Sequence, residues 1–507
     1  MPLAPGSRFD RQMLAGTLEG DATYFTLHKK HRGLLRFSMS RERLTGMTAL
    51  ALQYPSLTLA DEASPLKLWR EGAQDRRAAV RAKVVELLAG LPDGEGKPDE
   101  RWFWAAPALL DDARGVGGEF LESWSLEVSA AGEESLETEG AGGDDTRFAE
   151  HVGLLRKVLA GEERLGRKPV TELALGAPGI LAARSLAATG CSAPVDAAVR
   201  QRGAAMVAEG FRTLLHQPTA MGVVRRDEDV PYWRATLRYA IAGCLQAVLD
   251  EHFHQVWGQL AWKDAEPEAK VLEVAGRMAE AAAIKTSRVQ ANTLRARRGS
   301  VHLGTMRLRT SFALRYGKVV GDKDTAIARE GAVREAFNSP YRPFVLASTS
   351  IGQEGLDFHP WCHAIVHWNL PGNPVDLEQR EGRVHRYEGH AVRRNVAAAY
   401  GEDAMRERWA VGEDVWAVMF GMAADGRGEG ESDLRPWWIF EGACSVERRV
   451  PLMEHSKEVE RLRQLKRELV AYRLAFGQPR QQELVGAVVG ADVDVGAVDG
   501  WVLDLRP

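Results

Sequence analysis

An α/β lobe built on a parallel sheet, set among large α-helical regions, is the fold class this sequence predicts. Two textures predict it. From about residue 148 to residue 290 apolar residues recur at three and four positions, as in LLRKVLAGEERL and YAIAGCLQAVLDEHFHQVW, which is helical periodicity. After Arg295-Ala-Arg-Arg298 the pattern changes to MRLRTSFALRYG, AIAREGAVREAF, FVLAST, AIVHWNL and NVAAAY, read as strand, helix, strand, strand and strand. Short buried strands alternating with helices point to a parallel sheet.

The 507 residues exceed one ordinary domain, so about two to four units are expected. Residues 1–128 read as a mixed, mainly helical region, with a clear helical period in RRAAVRAKVVELLAGL. Residues 129–147 are acidic, Gly-rich and poor in large apolar side chains, and so read as a linker that cannot offset the entropy of ordering. Residues 148–299 then form an α-helical accessory module and residues 300–420 the α/β lobe. A second acidic, Gly-rich linker follows at 421–433, and residues 434–507 read as a helical extension with a long charged amphipathic helix. No internal repeat is found.

Composition narrows the class. With 45% hydrophobic and 27% charged residues and a net charge of -4, the chain reads as a soluble globular protein without the global positive charge of a polycation. Any contact with nucleic acid must then be local. Cys191, Cys244, Cys362 and Cys444 form no CxxC pair, which argues against a disulfide framework and a structural zinc site and favours a reducing cytoplasm. The stretch MPLAPGSRFDRQ lacks the apolar core of a signal peptide and no run approaches the ~18 apolar residues of a membrane helix, so a cytoplasmic protein with no membrane partner is expected.

Two segments carry chemistry. In FVLASTSIGQEGLDF, an apolar strand at Phe344, Val345 and Leu346 stops in Ser348, Thr349 and Ser350 and turns through Gly352 and Gly355. That places hydroxyls and backbone N–H groups at the carboxyl end of a sheet strand, where ligands bind in open α/β sheets. Asp357 is an acceptor suited to sugar hydroxyls, and Thr349 a donor suited to a backbone phosphate. In LEQREGRVHR, Gln379, Gly382, Arg383 and Arg386 lie at i, i+3, i+4 and i+7 and so share one helical face. A surface ladder explains them poorly, although Glu378 and Glu381 offer partners to Arg380 and Arg383. Guanidinium suits the charge that develops on a transferred phosphoryl group, where it is worth roughly a thousandfold or more in rate.

STSIGQEGLD resembles motif V, and QREGRVHR motif VI, of superfamily-two helicases and translocases, with the strand AIVHWNLP between them as in that family. VREAFNSP, with Arg334 and Phe337, is similar to the segment that precedes motif V. The resemblance implies a RecA-like helicase C-terminal lobe that uses ATP with Mg²⁺. It makes Arg383 and Arg386 the arginine fingers and turns Gln379 towards the phosphates. Gly355, Asp357 and Gly382 would line the nucleotide, and Ser348 and Thr349 would touch the backbone of DNA or RNA. The wording from Thr349 to Arg386 is also similar to a bacterial, chromatin-remodeller-like branch, several members of which belong to phage-defence islands, and YRLAFGQPRQQEL resembles the C-terminal ends of that branch. The specific likeness covers about Met306 to Tyr400.

One departure shapes the expectation. A complete motor needs a Walker loop, GxxxxGK[ST], and an acidic Mg²⁺ box, and this sequence holds no Gly-Lys-Ser or Gly-Lys-Thr. Asp250-Glu251-His252-Phe253-His254 mimics the box but reads as a helix C-terminus. The chain is therefore expected to be a second motor lobe whose Walker-bearing first lobe comes from a separate chain, inactive towards ATP alone. The alternatives are a non-catalytic DNA-binding or assembly subunit, or a fragment of an interrupted full-length helicase.

Three further features have plain explanations. His359, His363 and His367 recur every four residues, but Pro360 and the strand after it remove the helical face that would make them a metal site. Trp361, Trp368, Trp437 and Trp438 read as packing, with base stacking as the alternative. Arg295, Arg297 and Arg298, and after motif VI Arg393 and Arg394, read as a solvated face or as a phosphate track beside Thr349.

Overall fold

The computed structural model describes residues 46–91, 105–124, 142–161, 170–187, 195–215, 217–224, 232–260, 266–283, 287–297, 300–310, 333–341, 344–347, 357–410, 413–428, 431, 434–451 and 456–475. The chain divides into two compact units, one of residues 1–346 with 408–415, the other of residues 347–407 with 416–507.

The first unit is mostly helical. The Ala197–Leu215 helix packs along both the Pro267–Ala283 helix and the Pro178–Ala187 helix. Its buried Ala204, Val207, Ala208, Phe211 and Leu215 recur at helical spacing, and its alanines combine high helix propensity with a thin profile. The approach is close enough that a Cβ on Gly210 would lie 2.6 Å from the Ala279 carbonyl oxygen, so that position accepts only glycine. Leu50, Leu59, Phe120, Leu155, Leu181 and Phe253 belong to one continuous core. The expected separation of residues 1–128 from the helical module is therefore corrected: elements on both sides of the acidic stretch share this core, and the Gly142–Leu159 helix begins inside that stretch.

A short helix in this unit, Leu57–Glu62, has a charged side chain at each end, a buried one at its start and a partly buried one at its end. At its start Ser56 caps the Leu59 N–H, and the fully buried Asp111 carboxylate accepts from Leu57 N at 3.1 Å, Thr58 N at 2.9 Å and Ser56 Oγ at 2.9 Å. Tyr54 and Gln201 donate to the same carboxylate at 3.2 and 3.3 Å. At its end Arg184 donates to the carbonyls of Ala60 at 3.0 Å, Leu59 at 3.2 Å and Ala63 at 3.4 Å. An anion on the exposed N–H groups and a cation on the exposed carbonyls satisfy the groups that a helix cannot pair internally, with the sign the helix dipole favours. Burial pushes the Arg184 guanidinium down to about 10, against the opposing charges of Asp250 and Asp61.

The strand assignments need correction. Ser287–Arg297 (β1) and Ser300–Thr310 (β2) form an antiparallel hairpin in which Arg297 pairs with Ser300 across the two residues Arg298 and Gly299. A two-residue connection containing glycine suits such a hairpin. The helical module thus ends before Ser287, and the first strand of the expected sheet is a hairpin arm. Phe344, Val345 and Leu346 are not a buried strand: Phe344 is 47% and Val345 72% exposed, and no ladder includes them. NVAAAY lies within the His390–Asp403 helix, where Ala391, Val392, Asn395 and Val396 are buried at helical spacing. Asp250 to His254 lie in the middle of the Leu245–Gln259 helix, not at its end, and Asp250 accepts from Ser185 at 2.5 Å and Gln246 at 2.8 Å.

In the second unit Ala364–Val366 (β3) runs parallel to Glu447–Arg449 (β4). This is the one parallel pairing among the described residues, in a chain that is otherwise mostly helical. The Pro374–Glu381 helix begins with Asn373, whose side chain accepts from Asp376 N at 2.8 Å, and with proline in its first turn. Its Leu377 packs with Leu465 and Leu469 of the Glu458–Ala475 helix, and Arg461 of that helix donates to the Gly372 carbonyl at 2.6 Å. The second acidic stretch does not start a linker at once, because the Val415–Asp425 helix runs into it.

Replacing Asp111 by Ala strands five donors in a buried site. Denaturant unfolding of Asp111→Ala is expected to show a loss of roughly 3 kcal/mol. The exposed neighbour control, Asp112→Ala, is expected to stay within about 0.5 kcal/mol of the parent.

Candidate nucleotide site

Asp357, Gln379, Gly382, Arg383, His385, Arg386 and Trp438 line a cavity of about 440 Å³ in the second unit. The helix signals place the first part of this set. Asn373 and Pro374 start the helix, Gln379 lies in its last turn, and Gly382 caps it with its N–H on the Glu378 carbonyl at 2.7 Å. Here the expectation of one helical face is corrected. The helix stops at Glu381, and Arg383 and Arg386 follow in a turn. They reach the cavity because that turn is tied down: Val384 N and His385 N donate to the Glu381 carbonyl at 3.0 and 2.9 Å, Phe358 N to the Arg383 carbonyl at 2.9 Å, and Gly389 N to the Arg386 carbonyl at 3.0 Å.

Arg386 is not a lone cation. Its Nη2 lies 2.8 Å from Asp357 Oδ1, and both side chains are about half exposed, at 48% and 50%. At that exposure the pair is held weakly and can be exchanged for another anion.

Glu381 is the most strongly held charge near the cavity. Arg448 grips its carboxylate as a bidentate fork through Nε and Nη2, and His367 Nε2 lies 3.2 Å from Oε1. Since an ionised carboxylate only accepts, that histidine nitrogen carries the proton. The Glu381 side chain is 16% exposed, and His367 is buried. Burial by itself raises the Glu381 pKa, but the hydrogen bonds from His367 and Arg448 and the Arg448 charge prevail and hold it at about 2. The pairing that sequence offered, Glu381 with Arg380 or Arg383, is therefore corrected. Arg380 instead donates to the Asn369 carbonyl at 2.8 Å.

The remaining expected residues fall into three groups. Ser348, Thr349 and Gly355 lie outside the described residues. Arg393 is corrected as a phosphate contact: it is 3% exposed, donates to the carbonyls of Glu388 at 2.7 Å and Pro360 at 2.5 Å, and stands 5.5 Å over the Trp416 ring. Arg394 lies beside Cys444, where its charge and hydrogen bond oppose the burial that raises that thiol. Among the tryptophans, Trp437 is a packing residue, stacked on Phe420 at 5.0 Å and on Tyr387 at 5.7 Å. Trp438 lines the cavity and is 37% exposed, with its ring 6.5 Å from His385. The three histidines do not converge. His359, whose carbonyl accepts from His390 N, is pushed down to about 4 by burial, and His363 packs against His390 at 5.7 Å.

His385, Trp438 and the Glu381–Arg448 pair were not placed at the site from sequence. His385 sits between the two arginines and could have been taken with them. Arg448 carries no local signal, being 67 residues from its partner.

The cavity can hold an anion flanked by a planar group. Two guanidiniums and an amide offer donors to phosphate oxygens, Asp357 offers an acceptor to a hydroxyl, and the indole offers a stacking face. Residues 297–388 match the family model described as the helicase conserved C-terminal domain. This segment is helicase-like. The match covers under a fifth of the chain and contains every lining residue except Trp438. No curated protein and no solved structure is a significant match to the chain. No group of three or more potential metal ligands occurs among the described residues, and no helix among them is long and apolar enough to cross a membrane.

The Glu381 clamp has a pH signature. A carboxyl held at about 2 in the folded chain contributes its full stability above the ordinary carboxyl range and loses it as pH falls through about 2. The contribution amounts to at most about 3 kcal/mol. Urea unfolding is expected to show Glu381→Gln less stable than the parent at about pH 7, with the gap closing between about pH 4.5 and pH 2. A gap of constant size over that range contradicts the clamp.

Proposed function

We propose that this chain is the second motor lobe of a nucleic-acid-dependent ATPase of the helicase or translocase type. The convergence of Gln379, Arg383, Arg386 and Asp357 on one cavity inside the helicase-like segment is the observation that carries this reading. ATP with Mg²⁺ is the ligand that suits the donor set. The guanidiniums of Arg383 and Arg386 face the charge that develops on the transferred phosphoryl group, and Gln379 orients the phosphates or the attacking water. Asp357 holds Arg386 until a phosphate competes for it, and can then accept from a sugar hydroxyl. Walker lysine and Mg²⁺ carboxylates come from a first lobe, supplied by a separate polypeptide or by an upstream segment. DNA, or RNA, runs past Ser348 and Thr349, and Arg394 is the remaining candidate of the basic pair. Closing and opening of the two-lobe cleft ratchets the strand. A RecA-like lobe of the remodeller-like bacterial branch, working in the cytoplasm in phage defence, is the setting that the sequence likeness supports.

The ion pair between Arg386 and Asp357 favours a second reading, in which the arginine is structural and the lobe is a DNA-binding or assembly platform. Salt-dependent duplex binding by the chain, with no ATPase in any mixture, separates the two.

The test is DNA-stimulated phosphate release by this chain mixed with a Walker-bearing lobe encoded beside it. The mixture is expected to be active and the chain alone to be at background. Arg386→Ala is expected to lower the mixed rate about a thousandfold. An active mixture that is indifferent to this substitution removes the finger assignment.

A further inference from the structure

We propose that Glu381 is the positioning residue that aims the arginine-bearing turn, and that Arg448, beyond the helicase-like segment, is its anchor. The proposal rests on the reading of the cavity as an anion site. Glu381 is the last residue of the Pro374–Glu381 helix, and it is held at two places. Its carbonyl accepts from Val384 N and His385 N, which fixes the backbone of the turn between Arg383 and Arg386. Its carboxylate accepts the Arg448 fork and a hydrogen bond from His367 Nε2, which ties the side chain to β4 and to the residue that follows β3. Both strands are themselves joined there, since His367 N donates to the Arg449 carbonyl at 2.8 Å and Glu447 N to the His363 carbonyl at 2.7 Å. A displacement of Glu381 thus carries the turn with it.

The clamp has a second effect, on charge. Glu381 stands two residues before Arg383 and five before Arg386. A carboxylate that near, if free, competes with phosphate for the guanidiniums. With both oxygens engaged by Arg448 and one also by His367, it is held away from that role. Among the described residues that line the cavity, Arg383 and Arg386 are the cations and Asp357 is the anion. Outside the matched segment, residues 447–449 are therefore part of the anion-binding machinery rather than an appendage.

The test uses the full chain and two readouts. Amide hydrogen exchange at Phe358, Gly382, Val384 and His385 reports the turn, and the affinity for inorganic tripolyphosphate reports the anion site. Glu381→Gln and Arg448→Gln are each expected to speed exchange at these amides about tenfold; Glu381→Gln is expected to weaken tripolyphosphate about tenfold, roughly 1.4 kcal/mol, and Arg448→Gln, which also releases the carboxylate, by more. The double variant is expected to exchange little faster than either single one, because both remove the same contact, and to bind tripolyphosphate no more weakly than Arg448→Gln. Glu381→Asp, which keeps the charge, is expected to recover part of both effects. If Glu381→Gln lowers Tm but leaves turn exchange and tripolyphosphate affinity unchanged, the carboxylate is merely stabilising and the proposal fails. Arg386→Ala separates the two readings: no loss of tripolyphosphate affinity there overturns the anion site, while unchanged exchange in Glu381→Gln overturns the clamp.

Discussion

A carboxylate that has lost most of its water must be given donors, and Glu381 shows how much follows from that. Its oxygens cannot be left unpaired at 16% exposure, and the groups that satisfy them come from places far apart in the chain. His367 follows β3, Arg448 is the middle residue of β4, and Glu381 ends the helix that carries Gln379. Pairing one acid therefore fixes a strand pair, a helix end and the turn after it at once. The C-terminal Glu458–Ala475 helix closes the other side through Leu465 and Leu469 on Leu377, where apolar burial does the same work without direction.

The helical unit uses the same logic around a different element. The Leu57–Glu62 helix is too short to be stable from its own hydrogen bonds, and Asp111 and Arg184 supply what its ends lack. Asp111 is buried and Arg184 partly buried, and both are saturated with partners, so each defines a geometry rather than a reactive site. Arg393 repeats the pattern in the second unit, where its guanidinium is spent on the Glu388 and Pro360 carbonyls. A buried arginine saturated by carbonyls and an exposed one on a carboxylate that a ligand can displace look alike in sequence. Burial and the kind of partner distinguish Arg393 from Arg386.

Local chemistry was legible wherever it was local. The matched helicase segment contains both motif segments, whose residue types are recognisable without any distant partner. Patterns of equal hydrophobicity but uncertain period were not. NVAAAY supports a strand as well as a helix until Ala391, Val392 and Asn395 are taken with Val396, and then the four-residue repeat of the buried set decides for helix. The apolar run at Phe344 to Leu346 suggested burial, yet Val345 is 72% exposed, because hydrophobicity states a preference and not the presence of a neighbour. The β1–β2 hairpin was missed for a related reason: its alternation is weak, and its strands are defined by each other rather than by a core signal in either.

By itself the sequence singled out Gln379, Arg383, Arg386 and Asp357 as candidates for phosphate chemistry, since residue type is enough to state what a group can donate or accept. Only the tertiary structure decided that the helix ends before the arginines, that Arg386 rests on Asp357, and that Glu381 answers to Arg448 and not to its sequence neighbours. The reason is that an ion pair is chosen by distance and burial in space. Sixty-seven residues of chain separate Glu381 from Arg448, and no periodicity carries information over that length.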